Sequence, residues 1–235
     1  MPSKKYSSDR KRSRPVEKVT MKAQIKRNKL KFAFVLTILI VAIITGAYFT
    51  FLNSNEADKE IIIPEGSPIA IIDTSMGTIK VALENEKLPK TCKNFIDLAN
   101  DGFYDGVIFH RVKDNFMIQA GRYMQNGEPK TSPYGNIDFE TNDDVKHVNG
   151  AISMASTDAG VGGSAEFFIC DGAQSSLDGK YAAFGVVIEG MDIVQAIAAV
   201  NHDGSLEPTP ENPYLPGGGK PLVDIVINSI KIEYS

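Results

Sequence analysis

Residues 109–121 read Phe109-His110-Arg111-Val112-Lys113-Asp114-Asn115-Phe116-Met117-Ile118-Gln119-Ala120-Gly121. Two apolar, β-prone runs, Val107-Ile108-Phe109 and Phe116-Met117-Ile118, flank a polar tip at Lys113-Asp114-Asn115. The pattern predicts two short strands joined by a tight connection. An arginine accompanies the first strand and a glutamine the second, and in a pleated pair such residues can project together from one face. Arg111 has five N–H donors on a planar fork and stays charged at any relevant pH. Beside Phe116 and Met117 it makes a cationic donor at the edge of an apolar patch. A solvated arginine on an exposed hairpin is the plainer reading of these thirteen residues alone.

Ile69-Ala70-Ile71-Ile72-Asp73-Thr74 and Thr78-Ile79-Lys80-Val81-Ala82-Leu83 read as strands around a Ser75-Met76-Gly77 turn. Pro89 opens a helix where its missing N–H costs nothing, and the helix runs to about Asn100 with Phe95, Leu98 and Ala99 on one stripe. A polar stretch from Arg122 to Asp144 reads as loop around a short Ile137-Asp138-Phe139-Glu140 strand. Ala151–Met154, Glu166–Cys170 and Ala182–Ile188 are further strands, Met191–Val200 is a second amphipathic helix, and Val223–Tyr234 closes the chain as a strand. Gly160-Val161-Gly162-Gly163 is no phosphate cradle, because no Gly-Lys-Ser/Thr ending follows and no helix opens there. Residues 201–221 are rich in Pro and Gly and read as an exposed loop. Many short strands with only two helices argue a mainly β fold, a closed barrel with helices capping its ends.

The N-terminal part has a different character. Residues 1–31 carry 12 Lys or Arg against 2 acidic residues, and they lack the apolar content to fold alone. The overall charge of −4 therefore leaves −14 on the rest, an acidic body unsuited to nucleic acid. Phe32 to Leu52 is a run of 21 uncharged, mostly apolar residues. As a helix it would extend roughly 30 Å, the thickness of a bilayer core. The basic flank places the N-terminus in the cytoplasm and the body across the membrane. Cleavage as a secretory signal is the competing reading, giving a secreted protein, but both the basic region and the apolar core are long for one. The organisation expected is a basic segment 1–31, a transmembrane helix 32–52, an acidic linker 53–67 and a folded domain 68–235.

Cys92 and Cys170 are the only cysteines, in no CxxC, and His110, His147 and His202 are scattered, so neither a disulfide scaffold nor a metal cluster is indicated. Both thiols are expected buried and unpaired.

The stretch 109–121 resembles the signature of the cyclophilin-type peptidyl-prolyl isomerases. Three more segments resemble the same family in the same order: Gly150-Ala151-Ile152-Ser153-Met154-Ala155, Gly163-Ser164-Ala165-Glu166-Phe167-Phe168-Ile169 and Leu177-Asp178-Gly179-Lys180-Tyr181-Ala182-Ala183-Phe184-Gly185. The similarity runs from about Pro68 to the C-terminus. It implies an eight-stranded antiparallel barrel filled with side chains, binding proline-containing peptides on an outer face, as a monomer and without cofactor or metal. It implies Arg111, Phe116 and Gln119 as catalytic. Arg111 would be the donor to a twisted X–Pro amide, and Gln119 would orient it or bind the substrate backbone. Met117, Phe168 and Leu177 would line the proline pocket with Phe116, and Tyr181 stands where many members have His. Ala155 and Ser156 would pair with peptide through their main chain. Phe167, adjacent to Phe168, must point to the other face and into the core.

Some positions depart from the family pattern. Glu166 stands where Gln is common, and could pair with Arg111 or alter peptide preference. Ser156 replaces a common Asn. Ser176 falls where cyclosporin-sensitive members carry Trp, and the chain has no Trp. The function expected is prolyl isomerisation in support of protein folding outside the cytoplasmic membrane. The alternative is a non-catalytic module that holds proline-containing peptides at the membrane.

Overall fold

The computed structural model describes residues 63–213 and 215–235. The basic segment 1–31, the apolar run Phe32–Leu52 and most of the 53–67 linker lie outside the described residues. Among the described residues no helix is long and apolar enough to cross a membrane.

Eight strands form one antiparallel sheet: β1 (Pro68–Thr74), β2 (Gly77–Leu83), β3 (Arg111–Lys113), β4 (Met117–Ala120), β5 (Ala151–Met154), β6 (Phe167–Cys170), β7 (Ala182–Glu189) and β8 (Ile227–Tyr234). Their order is β3-β4-β6-β5-β7-β2-β1-β8. Helix α1 (Pro89–Asn100) and helix α2 (Met191–Ala198) complete the fold.

The expected closed barrel is found as a half-barrel. β3 and β8 end the sheet, and single bridges rather than a ladder link the two sides, Ile108 to Val226 and Val112 to Gly219. The chain ahead of β8 carries Gly219 and Pro221, and proline has no N–H to give a ladder. The hairpin is displaced for a related reason. Val107, Ile108 and Phe109 are buried but use their main chain on residues 123 and 225–227, so the ladder to β4 starts only at Arg111. Its tip is a three-residue connection in which Asn115 takes the left-handed conformation, φ 55°, a conformation asparagine tolerates better than most residues.

Helix α1 begins at Pro89 with no side-chain cap of its own. The carboxylate of Glu140 supplies one from fifty residues on. Its Oε2 accepts from the Thr91 N–H at 3.0 Å and from the Thr91 hydroxyl at 3.0 Å, satisfying an orphan donor at the positive end of the helix. The predicted Ile137–Glu140 strand is therefore absent: Ile137 donates to the Gly163 carbonyl and Glu140 serves as this cap.

The buried face of α1 brings Phe95 against Tyr104, Phe184 and Phe167, with ring centroids 5.2, 5.3 and 5.4 Å away. Val194, Ile197 and Ala198 of α2 join the same core. Truncating a ring such as Phe95 to alanine costs about 3–5 kcal/mol, so this cluster fixes the sheet on which the site is built. Cys92 and Cys170 are both buried and unpaired.

Candidate active site

Arg111 on β3 stands directly opposite Gln119 on β4, Gln119 opposite Phe168 on β6, and Phe168 opposite Ser153 on β5. Directly opposed residues of an antiparallel pair share a face. The four side chains therefore form one row across four strands. One step along, Lys113, Met117 and Cys170 form a second row on the same face. Phe167 goes the other way, into the main core beside Phe95.

Met117, Ala151, Phe168 and Cys170 make a small apolar cluster separate from the main core. Phe116, Ala155, Leu177 and Tyr181 pack against it while remaining partly exposed. Phe168 sits at its centre. The His147 ring stacks on it at 5.9 Å and 11°, and Tyr181 meets it edge-on at 6.0 Å. His147 is itself held, Nδ1 lying 2.9 Å from Asp178 Oδ1 and Nε2 3.0 Å from Ser153 Oγ. A carboxylate only accepts, so Nδ1 carries the proton and Nε2 accepts from the Ser153 hydroxyl. Ser153 is fully buried, which makes this arrangement a brace behind Phe168 and not a nucleophile.

The guanidinium of Arg111 is fixed at the edge of that cluster. Nε and Nη2 donate to the Gly217 carbonyl at 3.2 and 3.1 Å, Nη2 also donates to the Pro216 carbonyl at 3.1 Å, and Nη1 faces Gln119 Oε1 at 3.5 Å. Its Cζ lies 5.7 Å from the centre of the Phe116 ring, within cation–π range. Burial lowers the Arg111 pKa, with Tyr181 and Glu207 acting in the opposite sense. A guanidinium so placed remains charged at neutral pH.

Beyond Gln119 the polar row continues. Gln119 Nε2 donates to Glu166 Oε2 at 3.0 Å, and Arg122 Nη1 donates to Glu166 Oε1 at 3.0 Å. Gly121 permits this approach. Its φ is +102°, and a Cβ there would strike the Ala165 carbonyl oxygen and come within 2.8 Å of the Glu166 Cα. The signature stretch thus ends in glycine because the chain leaving β4 runs hard against residues 165–166.

The site is a charged, fixed donor beside a partly exposed apolar cluster, and no group of side chains suited to hold a metal is found among the described residues. The family described as cyclophilin type peptidyl-prolyl cis-trans isomerase/CLD matches residues 69–231. The chain belongs to this family. Among curated relatives, an Arabidopsis thaliana peptidyl-prolyl cis-trans isomerase, CYP18-2, is 38% identical over 151 residues, 63% of this chain and 92% of that protein. A Gallus gallus peptidyl-prolyl cis-trans isomerase-like 3 is 36% identical, covering 69% of this chain and 94% of that protein. A crystal structure of a Cryptosporidium parvum cyclophilin-type isomerase superposes with TM-score 0.58 at 26% identity, covering 72% of this chain and 99% of that one. A structure of the same protein in the presence of the dipeptide Ala-Pro gives TM-score 0.57 at 27% identity, covering 71% and 99%. Cis–trans isomerisation of the X–Pro bond in proline-containing peptides is accordingly the reaction of this cyclophilin.

Of the residues singled out in the sequence, the structure packs Phe116, Met117, Ala155, Phe168, Leu177 and Tyr181 into one apolar cluster, with Arg111, Gln119 and Glu166 in the polar row beside it. The Ser156 hydroxyl donates to the Asp158 carbonyl in its own loop at 2.8 Å. The Ala155 N–H already donates to the Glu166 carbonyl at 2.8 Å, so a bound peptide cannot use it. Glu166 pairs with Gln119 and Arg122 and not with Arg111. Sequence reasoning missed the Pro216 and Gly217 carbonyls. The Pro216-Gly217-Gly218-Gly219 run was the available signal, since it permits the backbone to come close to a neighbour.

Proposed function

We propose that Arg111 catalyses rotation of the X–Pro bond by donating to the twisted amide, in a membrane-anchored isomerase acting on proteins outside the cytoplasmic membrane. The observation that carries the mechanism is a guanidinium held from behind by two main-chain carbonyls, 216 and 217, at the edge of the apolar cluster around Phe168. Amide resonance opposes rotation with a barrier of about 18–20 kcal/mol. In the twisted state the nitrogen lone pair is localised and can accept a hydrogen bond that the planar forms cannot. A donor aimed at that nitrogen favours the twisted form over either planar form, the condition for rate enhancement. Because Arg111 is already positioned, it need not reorganise when the bond turns. Met117, Phe168, Phe116 and Leu177 hold the proline ring while the preceding carbonyl swings. Gln119 holds Arg111, and Tyr181 closes the rim.

The location rests on the 21 uncharged residues of Phe32–Leu52 and the basic flank before them. The domain from 68 onward then lies outside, joined through the 53–67 linker. A protease-coupled isomerisation assay on the purified full-length chain tests the mechanism: turnover of an X–Pro peptide is expected in the wild type and its loss in Arg111→Ala. Protease added to intact cells tests the topology. Release or digestion of the C-terminal domain is expected, and full protection in protease-accessible cells overturns it.

A further inference from the structure

The amide of Gln119 lies between two groups of opposite hydrogen-bonding character. On one side is Arg111, which can only donate; on the other is the Glu166 carboxylate, which can only accept. The distances are 3.5 Å from Arg111 Nη1 to Gln119 Oε1 and 3.0 Å from Gln119 Nε2 to Glu166 Oε2. A glutamine between an arginine and a neutral neighbour has two orientations, one of which turns its N–H groups toward the guanidinium. A carboxylate in the neighbouring place removes that choice: Nε2 must face Glu166, and Oε1 is left facing Arg111.

We propose that Glu166 is a positioning residue for Arg111, acting through the orientation of Gln119. Three features of the site support this. Both oxygens of Glu166 are engaged, Oε2 by Gln119 and Oε1 by Arg122 at 3.0 Å, so the carboxylate cannot swing toward the peptide without losing a bond. Its backbone is pinned, since its carbonyl accepts from the Ala155 N–H at 2.8 Å and Gly121 lets β4 press against its Cα. Arg111 is meanwhile held on its other side by the carbonyls of residues 216 and 217. The chain Arg122–Glu166–Gln119–Arg111 is thus the second arm of a clamp, leaving the remaining Nη1 hydrogen for substrate. An acid at 166 therefore sets the donor's geometry and does not offer its charge to the peptide.

This inference rests on Arg111 acting on the amide, and the experiment separates the two. Steady-state kcat and KM are measured on the full-length chain for wild type, Arg111→Ala, Glu166→Gln, Gln119→Leu and the Glu166→Gln/Gln119→Leu double variant. Glu166→Gln is nearly isosteric but can donate as well as accept, so it frees Gln119 to turn over. A fall in kcat of about three- to tenfold with KM within about twofold is expected. In the Gln119→Leu background the same change should have no further effect, a non-additivity that a purely structural role would not produce. A loss carried by KM, or additive losses, assigns Glu166 to peptide binding or to the scaffold and overturns the proposal. Arg122→Met, at a half-exposed position, loosens Glu166 without altering it and should lower kcat by a smaller factor; this arm decides the matter if Glu166→Gln fails to fold. Unchanged kcat in both variants sinks the role of Glu166 alone, provided Arg111→Ala is inactive. If Arg111→Ala retains turnover, it is the underlying mechanism that fails.

Discussion

The Gly217 carbonyl accepts from the Arg111 guanidinium twice, from Nε at 3.2 Å and from Nη2 at 3.1 Å. A loop more than a hundred residues along the chain thereby fixes the direction of the Arg111 guanidinium beside the apolar cluster. Gly217 can do this because its φ is +80°, a left-handed conformation that costs a residue with a side chain about 1–2 kcal/mol. Gly217→Ala should shift this carbonyl and lower kcat/KM by about three- to tenfold, while the melting temperature falls by only a few degrees. Kinetics and thermal unfolding on the same preparation check this. An unaltered kcat/KM would mean that the loop is not needed to hold the donor.

What could be read from the sequence and what could not divide along physical lines. The alternation that sends Phe168 to the outer hollow and Phe167 to the core has period two and is local, so it is visible in the letters. Helix α1 was legible from Pro89 and its apolar stripe. The cap that Glu140 provides, and the loss of the strand predicted there, depend on a contact fifty residues distant. The opening of the barrel into a half-barrel depends on which main-chain groups of residues 219–226 find partners. The clamp on Arg111 was least legible, because carbonyl oxygens belong to every residue and only the glycine run 217–219 marks where the backbone comes close.

Stability should fall on acidification, chiefly through His147. Burial lowers its pKa, and the neighbouring Asp178 offsets this only in part. Above the ordinary histidine value of about 6.5, the ring is neutral in folded and unfolded chains alike. As pH falls below that value the unfolded chain takes up the proton first, so stability declines until the folded pKa is reached, with a limiting slope of about 1.4 kcal/mol per pH unit for one group. Burial lowers His110 in the same direction. Burial would raise Asp178, but its hydrogen bonds from the His147 N–H and ring outweigh this and hold it below the usual carboxylate range. Its stabilisation is complete above the unfolded value of about 3.9 and is lost as pH falls through the folded one. Urea midpoints should therefore drop as pH falls below about 6.5, and His147→Gln should flatten the upper part of that slope. A midpoint independent of pH across this window would contradict the assignment of His147 as buried and neutral.

The thiols should be silent in the native protein. Burial pushes the Cys170 pKa up to about 12 and raises that of Cys92 as well, so neither presents a thiolate near neutral pH. Cys92 is further occupied in donating to the Phe184 carbonyl. Alkylation of the native chain at neutral pH should label neither residue, and denaturation without reductant should expose two thiols. Labelling that appears only after reduction would instead reveal a disulfide.

The decisive variant is Arg111→Ala. Removing a donor that acts mainly in the transition state typically costs about 10²–10³ in rate, and kcat/KM should fall by at least about tenfold. Folding should suffer less. Arg111 is half-buried and makes its bonds to main-chain carbonyls near the surface, so its loss should cost about 1–2 kcal/mol, the scale of a few partly solvated hydrogen bonds. Arg111→Lys tests the geometry of the fork rather than its charge. A lysine cannot reproduce the paired Nε and Nη2 bonds to Gly217 while still presenting Nη1 toward Gln119, so most of the activity should be lost with the charge retained. Peptide affinity, measured by titration calorimetry, should fall less than turnover in both variants, because the apolar cluster around Met117 and Phe168 is untouched. Recovery of wild-type turnover by Arg111→Lys would show that a positive charge suffices and that the carbonyl clamp is incidental. Wild-type turnover in a folded Arg111→Ala chain would place the rate-accelerating group elsewhere on this face.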